Sequence, residues 1–371
     1  MIDALKPLPL TQLKIESFRH LRGVKLEKLD RINFIVGSGN SGKTSILEAI
    51  ACYSHPLDIR EWVKTARFRE ARENRFYPLQ AIDVLRWLFP HRSSPNNKDE
   101  HDRICIYAEG RSPIAMLEAT CKPHFGTRVI DLSDEEEPDA SSDGRHLVEE
   151  EGWRFRLTAH MRAPQADREI EFIGWSDSPT TLPTSESPVI PCQLLSPYAH
   201  RNEPAQLRGL TRATIADKRA AIVELLSDLD PNITGIEIIA SRTGGALLAL
   251  SHKETGIAPI HVFGDGVRRA LMIAMAIQQC SGGLLLLDEI EAAFHVTAMG
   301  RVFPWIERAC TQYDVQLFGT THSLEAIDAV AGCIETQSVA AYHVDGPQGE
   351  VKRYSKDMLQ RLVHERGLDI R

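Results

Sequence analysis

The sequence predicts an α/β fold, a mixed or parallel core sheet carrying an antiparallel β subdomain and a helical insertion, and three observations lead there. An apolar run over 31–36 ends directly in glycines, and Ser45 to Ile50 follow at once with helical spacing. Four consecutive leucines, Leu284 to Leu287, precede a helix and then a second apolar run from Val315 to Phe318; such alternation implies parallel strands with ligand chemistry at their carboxyl ends. Between these regions apolar residues recur at every second position, the pattern of half-exposed antiparallel strands.

Composition limits the class. The chain has 371 residues, 43% hydrophobic and 25% charged, enough apolar material for a large core, which excludes a disordered or fibrous protein. We read 1–371 as one large domain with insertions. No apolar run approaches the roughly 18 residues that span a bilayer, and the first ten residues lack a signal pattern, so a cytoplasmic chain is expected. Seven scattered cysteines without a C-x-x-C pair read as buried free thiols. The net charge of −8 is not uniform, because 131–151 hold ten acids against the single Arg145. The rest of the chain is near neutral, and a polyanionic partner is not excluded.

In chain order, Leu13 to Phe18 and 31–36 suit strands, and 56–92 look mainly helical, with Arg60, Lys64, Arg67, Arg69, Arg72 and Arg75 as a solvated face. An antiparallel subdomain is expected over 103–188, from the alternation of Ile104 and Ile106, of Trp153, Phe155, Leu157 and Ala159, and of Ile170 and Phe172. The acidic stretch 131–151 interrupts it as a mobile loop, and 176–188 form a second break rich in Ser, Thr and Pro. A helical segment follows over 204–231, with Ile215, Ile222, Leu226 and Leu229 on one face; Gly244-Gly245 then suggest a hairpin, and Gly266 to Gln279 another helix.

Gly37-Ser38-Gly39-Asn40-Ser41-Gly42-Lys43-Thr44 matches G-x-x-x-x-G-K-[ST] between a strand and a helix, the context that the phosphate-binding loop requires. Backbone amides curl round phosphate, Lys43 adds a point charge, Thr44 offers a hydroxyl to Mg²⁺, and Ser45 continues the site. Asp288 and Glu289 leave a buried strand at the same edge, which suits Asp288 to magnesium and Glu289 to polarising the attacking water; the plainer alternative is a helix-capping pair. Thr320-Thr321-His322-Ser323 end the next strand. His322 is a candidate donor to the γ-phosphate, and Ser323 has the alternative of capping the following helix. Gly264, Asp265, Gly266, Arg268 and Arg269 open a helix whose free amides suit an anion.

This set resembles the ATP-binding-cassette (ABC) ATPases of the SMC, RecF and OLD (overcoming-lysogenization-defect) branch. Gly37 to Thr44 is similar to Walker A and Leu284 to Glu289 to Walker B. Leu13 to Arg19 is similar to the opening strand, Glu291 to His295 to the D-loop and His322 to the switch histidine. The resemblance covers roughly the first 50 and last 120 residues. It implies a P-loop NTPase of ABC-head type that binds ATP and Mg²⁺. It also implies a head-to-tail homodimer in which Gly264, Asp265, Gly266 and Arg268 reach the ATP of the opposite subunit. The family's metal-contacting glutamine would be Gln80, the only glutamine between Lys43 and residue 130. Where SMC proteins carry a signature serine, Gly264 stands here, and backbone amides, Arg268 or Arg269 would replace its contact.

Gly264 to Arg269 looks most like the OLD-like ATPases of anti-phage systems, which are often paired with a TOPRIM nuclease. About 50 residues follow His322, too few for a TOPRIM domain, and Asp228-Leu-Asp230 reads as a helix cap, so any nuclease is expected to be a separate protein. The alternatives are a RecF-like DNA-binding repair factor and an ATP-binding scaffold with little turnover. Asn97 to Glu100 depart from the guanine-reading motif at Glu100, which favours ATP. Lys352, Arg353 and Lys356 form a small basic cluster that either meets DNA or solvates a helix.

Overall fold

A computed structural model describes residues 7–70, 80–90, 102–131, 145–175, 182–183, 185–240, 245–333, 338–346 and 350–361. The chain opens with strands β1 (Gln12–Phe18), β2 (Leu21–Leu26) and β3 (Ile32–Val36), then helices α1 (Lys43–Ser54), α2 (Ile59–Ala66) and α3 (Ala81–Arg86). Strands β4 (Asp102–Glu109), β5 (Ile114–Asp131), β6 (Arg145–Met161), β7 (Arg168–Trp175) and β8 (Cys192–Leu195) follow, then α4 (Glu203–Ile215) and α5 (Arg219–Leu229). Next come β9 (Ile233–Ala240), β10 (Ala246–His252), β11 (Gly256–Pro259), α6 (Asp265–Gln279), β12 (Leu284–Leu287), α7 (Val296–Gln312) and β13 (Gln316–Thr321). Helix α8 (Leu324–Cys333), strands β14 (Val339–Val344) and β15 (Val351–Ser355) and helix α9 (Lys356–Gln360) complete it.

The core sheet has the order β15-β14-β3-β13-β12-β8. All of its pairings are parallel except β14 with β15. Register aligns Val36 with Thr321 and Leu287 with both Gly319 and Leu195, so the residues after β3, β13, β12 and β8 emerge at one edge. Strand β13 lies between β3 and β12 and opens the crevice in which α/β sheets hold their ligands.

Both faces of its inner strands β3, β13 and β12 are buried, which is why these read as nearly unbroken apolar runs. Leu285, Leu287, Phe34 and Leu317 face a core built with α4 to α8. Leu284, Leu286, Ile35 and Phe318 face a second core shared with α1 and the antiparallel sheet. That sheet has the order β2-β1-β4-β5-β6-β7, and a small sheet β11-β10-β9 flanks the first core. Among the described residues, no helix is long and apolar enough to cross a membrane. Cys52, Cys105, Cys121, Cys192, Cys280 and Cys310 are free and buried, as expected.

Four expectations need correction. The antiparallel sheet is not confined to 103–188, because β1 pairs with β4 and brings β2 with it. The acidic stretch 131–151 is not all loop: β6 begins at Arg145, opposite Asp131, and Glu149, Glu150 and Glu151 lie opposite Thr127, Gly126 and Phe125. Ladder bonds to β5 order these acids in spite of their charge; 132–144 lie outside the described residues. The segment 204–231 is two helices, broken where Asp217 turns left-handed (φ 54°), which leaves Ile215 82% exposed. The stretch 56–92 holds α2, a 3-10 turn and α3, while Arg72, Arg75 and the motif at 97–100 lie outside the described residues.

Candidate active site

Strand β3 ends against β14, and the chain must turn sharply. Gly37 has φ 151°, and a Cβ there would lie 2.5 Å from the Val344 carbonyl oxygen. Asn40 (φ 63°) and Gly42 (φ 101°) are left-handed, and a Cβ on Gly42 would lie 2.6 Å from Leu21 Cδ2. Glycine is therefore required at both 37 and 42. Helix α1 starts at Lys43 with no side-chain cap, so its first amides remain free donors. Lys43 Nζ arches back to donate to the carbonyl oxygens of Gly37 (2.8 Å) and Ser38 (2.7 Å). Burial lowers its pKa, and Asp288, Glu289 and Glu291 oppose that shift.

Thr44 and Asp288, far apart in sequence, meet here. Thr44 Oγ1 donates to Asp288 Oδ1 at 3.0 Å, and Thr320 Oγ1 donates to the same oxygen at 2.7 Å. Thr320 also accepts from the Glu289 amide at 2.9 Å, which fixes the left-handed turn at Glu289 (φ 46°). Burial raises the Glu289 pKa above the ordinary carboxylate value, and His322 opposes this. His322 Nδ1 lies 4.0 Å from Glu289 Oε1 and 3.8 Å from Glu291 Oε1. Ser323 Oγ accepts from the Ala326 amide at 3.1 Å, the capping alternative named above.

Three side chains at this edge have roles that the sequence reading did not give them. Thr320 is one. Arg269 is the second: fully buried, it donates to the carbonyl oxygens of Ser196 and Asp288. Burial lowers its pKa to about 10, with Asp288, Glu289 and Glu291 opposing. Arg269 therefore ties α6 to the ends of β8 and β12 within its own chain and does not reach outward. Its place one turn before Ile273 and two before Ile277, on the buried stripe of α6, is the signal that finds it. Arg69 is the third. Although its side chain is 43% exposed, it donates to Ser45 Oγ (2.7 Å) and, with Arg19, pairs with the buried Glu48 of α1.

Gly264 is exposed and precedes α6 without a side-chain cap. Asp265 pairs with Arg268 (3.1 Å) and Arg201 (3.1 Å), and Gly266 packs 3.4 Å, measured from a Cβ position, from the Ala293 carbonyl oxygen. Gln80 is not brought to this edge. It begins α3, whose Ile82 abuts Gly174 of β7 on the antiparallel sheet. Among the described residues its side chain makes no hydrogen bond to Thr44 or Asp288, and it is Ser196, after β8, that adjoins Asp288. Asp230 is the C-terminal cap of α5: its amide donates to the Leu226 carbonyl oxygen at 2.8 Å, and its side chain accepts from the Asn232 amide. Arg353 of the basic cluster pairs with Asp30 at 2.6 Å and Lys356 is buried, so neither forms an open basic patch.

A glycine loop after one parallel strand, a Thr–Asp pair across the crevice and a carboxylate beside it define a P-loop ATPase with an ABC-head fold. The family described as "AAA domain, putative AbiEii toxin, Type IV TA system" matches residues 125–328, more than half of the chain, and the chain belongs to it. That span includes Asp288, Glu289 and His322.

An "ATP/GTP phosphatase" of Helicobacter pylori is 22% identical over 355 residues, 89% of this chain and 90% of the relative. The DNA replication and repair protein RecF of Haemophilus ducreyi is 39% identical over 67 residues, 18% of this chain and 19% of that protein. The crystal structure of an SMC head bound to the C-terminal winged-helix domain of ScpA covers 93% of this chain and 97% of its own at TM-score 0.45 and 13% identity.

Proposed function

We propose that the chain binds and hydrolyses Mg-ATP at this edge and uses the nucleotide to close a head-to-tail homodimer that controls a separate effector. The observation that carries the reading is the 3.0 Å contact of Thr44 Oγ1 with Asp288 Oδ1, two hard oxygen ligands converging on one point. With a phosphate in the loop, Lys43 exchanges its two carbonyl partners for phosphate oxygens, and the amides from Gly37 to Ser45 line the same cradle. Thr44 and Asp288 would hold Mg²⁺, which supplies neutralisation of phosphate charge during transfer. Thr320 keeps Asp288 pointing to that position. Glu289, its basicity raised by burial, takes a proton from water, and His322 donates to the γ-phosphate.

Because Arg269 is committed to its own chain, the exposed turn from Gly264 through Gly266, with Arg268, is left to meet the partner's nucleotide by backbone amides. Two sites closing together turn phosphate occupancy into a change of assembly. The family description names a toxin and a toxin–antitoxin system, which supports an output on an effector; anti-phage defence with a separate nuclease is the form we favour. Lys43→Ala should abolish ATP binding, and Glu289→Gln should bind ATP and remain dimeric by light scattering while turnover falls at least about 100-fold. Parent-rate hydrolysis by Glu289→Gln would remove the assigned base. The local similarity to RecF favours DNA clamping as the second reading; DNA binding that needs ATP and weakens steeply with salt would support it.

A further inference from the structure

Glu291 lies in the turn between β12 and α7 and has no role so far. Its side chain is 12% exposed, yet both carboxylate oxygens are closed to solvent and neither receives a hydrogen bond. A carboxylate deprived of water and of donors is costly unless a donor comes to it. The nearest one is His322 Nδ1, 3.8 Å from Oε1, on a ring that is 61% exposed and so free to swing. Glu289 faces the same nitrogen at 4.0 Å, but its side chain is 44% exposed and open to solvent. The other charged groups around the pair are Asp288, Lys43 and Arg269; Lys43 and the two Nη atoms of Arg269 already have carbonyl partners, and Arg269 Nε, buried and unpartnered, makes no ion pair with Glu291.

We propose that Glu291 is a positioning residue for ATP hydrolysis: it accepts a hydrogen bond from His322 Nδ1–H and thereby leaves Nε2 as the nitrogen that meets the transferred phosphate. The two ring nitrogens are distinct, and the partner of one decides what the other does. A hydrogen bond needs the 3.8 Å separation to close to about 2.8 Å, a shift of the size that rotation of the exposed ring supplies. The two carboxylates then divide the work, Glu289 on water and Glu291 on the imidazole. This inference rests on the proposed contact of His322 with the γ-phosphate.

The test is steady-state ATP hydrolysis by the full chain with Mg²⁺. Glu291→Ala should lower kcat about 10- to 100-fold, with KM for ATP changed less than about threefold, the usual size for the partner of a functional imidazole. Glu291→Gln keeps an acceptor of the same length and should retain at least about a third of kcat, while Glu291→Asp keeps the charge, loses reach and should fall about tenfold. In a His322→Ala background each of these changes should shrink to less than about twofold. Equal losses in both backgrounds, a raised KM with intact kcat, or Asp outperforming Gln would overturn the proposal; the Gln and Asp comparison serves if the Ala variant does not fold. If His322→Ala alone hydrolyses at the parent rate, it is the reading of His322 that fails, and that result is distinct.

Discussion

The parallel sheet hides both faces of its strands, whereas the antiparallel sheet gives one face to solvent, and the same side chain has opposite consequences on the two. Strand β12 is 4 residues long and fully buried, and the charged groups that follow it lie at the carboxyl edge of the sheet. Strand β5 is 18 residues long, and the outer face of its sheet carries an arginine–glutamate ladder, Arg103 with Glu118 and Arg154 and Arg156 with Glu171. Arg269 at the core edge is fully buried, while the Arg103 side chain is 50% exposed. Charge is structural in the first place and solvated in the second.

The largest effect expected from this contrast is that of Arg269→Met. It strips two carbonyl oxygens of their donor and leaves Asp288, Glu289 and Glu291 without the buried cation beside them. Breaking a buried polar network of this kind costs about 3 to 5 kcal/mol, and the displaced Asp288 should take hydrolysis with it. Urea unfolding would read the first and ATP turnover the second. A loss below about 1 kcal/mol would mean that the core edge treats charge as the surface does, and the contrast would break.

A medium effect is expected where the core sheet is tightest. Gly283 precedes β12, and a Cβ on it would lie 1.9 Å from the Pro191 carbonyl oxygen, just before β8. Backbone cannot yield there as a side chain can, so Gly283→Ala should force β8 and β12 apart at a cost of about 1 to 3 kcal/mol. The test is a lowered unfolding midpoint, together with a weaker hold of Ser196 on Arg269 read as reduced kcat. An unchanged midpoint would show that the seam between these strands is looser than its geometry.

How much of this was legible in the chain follows from the reach of each signal. The glycine loop and the four leucines are local: one needs left-handed turns and the other burial on both faces, and each leaves a contiguous mark. Thr320 leaves none, because its partner Asp288 follows another strand and only the sheet order makes them neighbours, and Arg269 leaves only its place on the buried stripe of α6. The break between α4 and α5 was hidden because Asp217 takes the left-handed turn without a glycine or proline to announce it. The start of β6 was hidden because Glu149 to Glu151 carry no alternation; pairing with β5 supplies the order that composition denied. Gln80 was singled out as the one glutamine in its stretch, a criterion of residue type, whereas the fold sends α3 to the antiparallel sheet.

The smallest effect is the control that makes the comparison quantitative, since Arg103→Met is the same substitution on the other sheet. Arg103 meets Glu118 through Nε and Nη2, each at 2.9 Å, a two-pronged contact that raises the arginine pKa. Both partners remain open to water, so screening and side-chain entropy remove most of the Coulomb gain, and the loss should stay below about 1 kcal/mol. It should also shrink further near 1 M salt, where the screening length is about 3 Å, while the effect of Arg269→Met should not. Turnover should be unaffected, because Arg103 and Glu118 lie on β4 and β5 and pair with none of the residues at the edge of the core sheet. A salt-independent loss at Arg103 comparable to that at Arg269 would place the two arginines in the same electrostatic environment, and exposure would no longer account for what each one does.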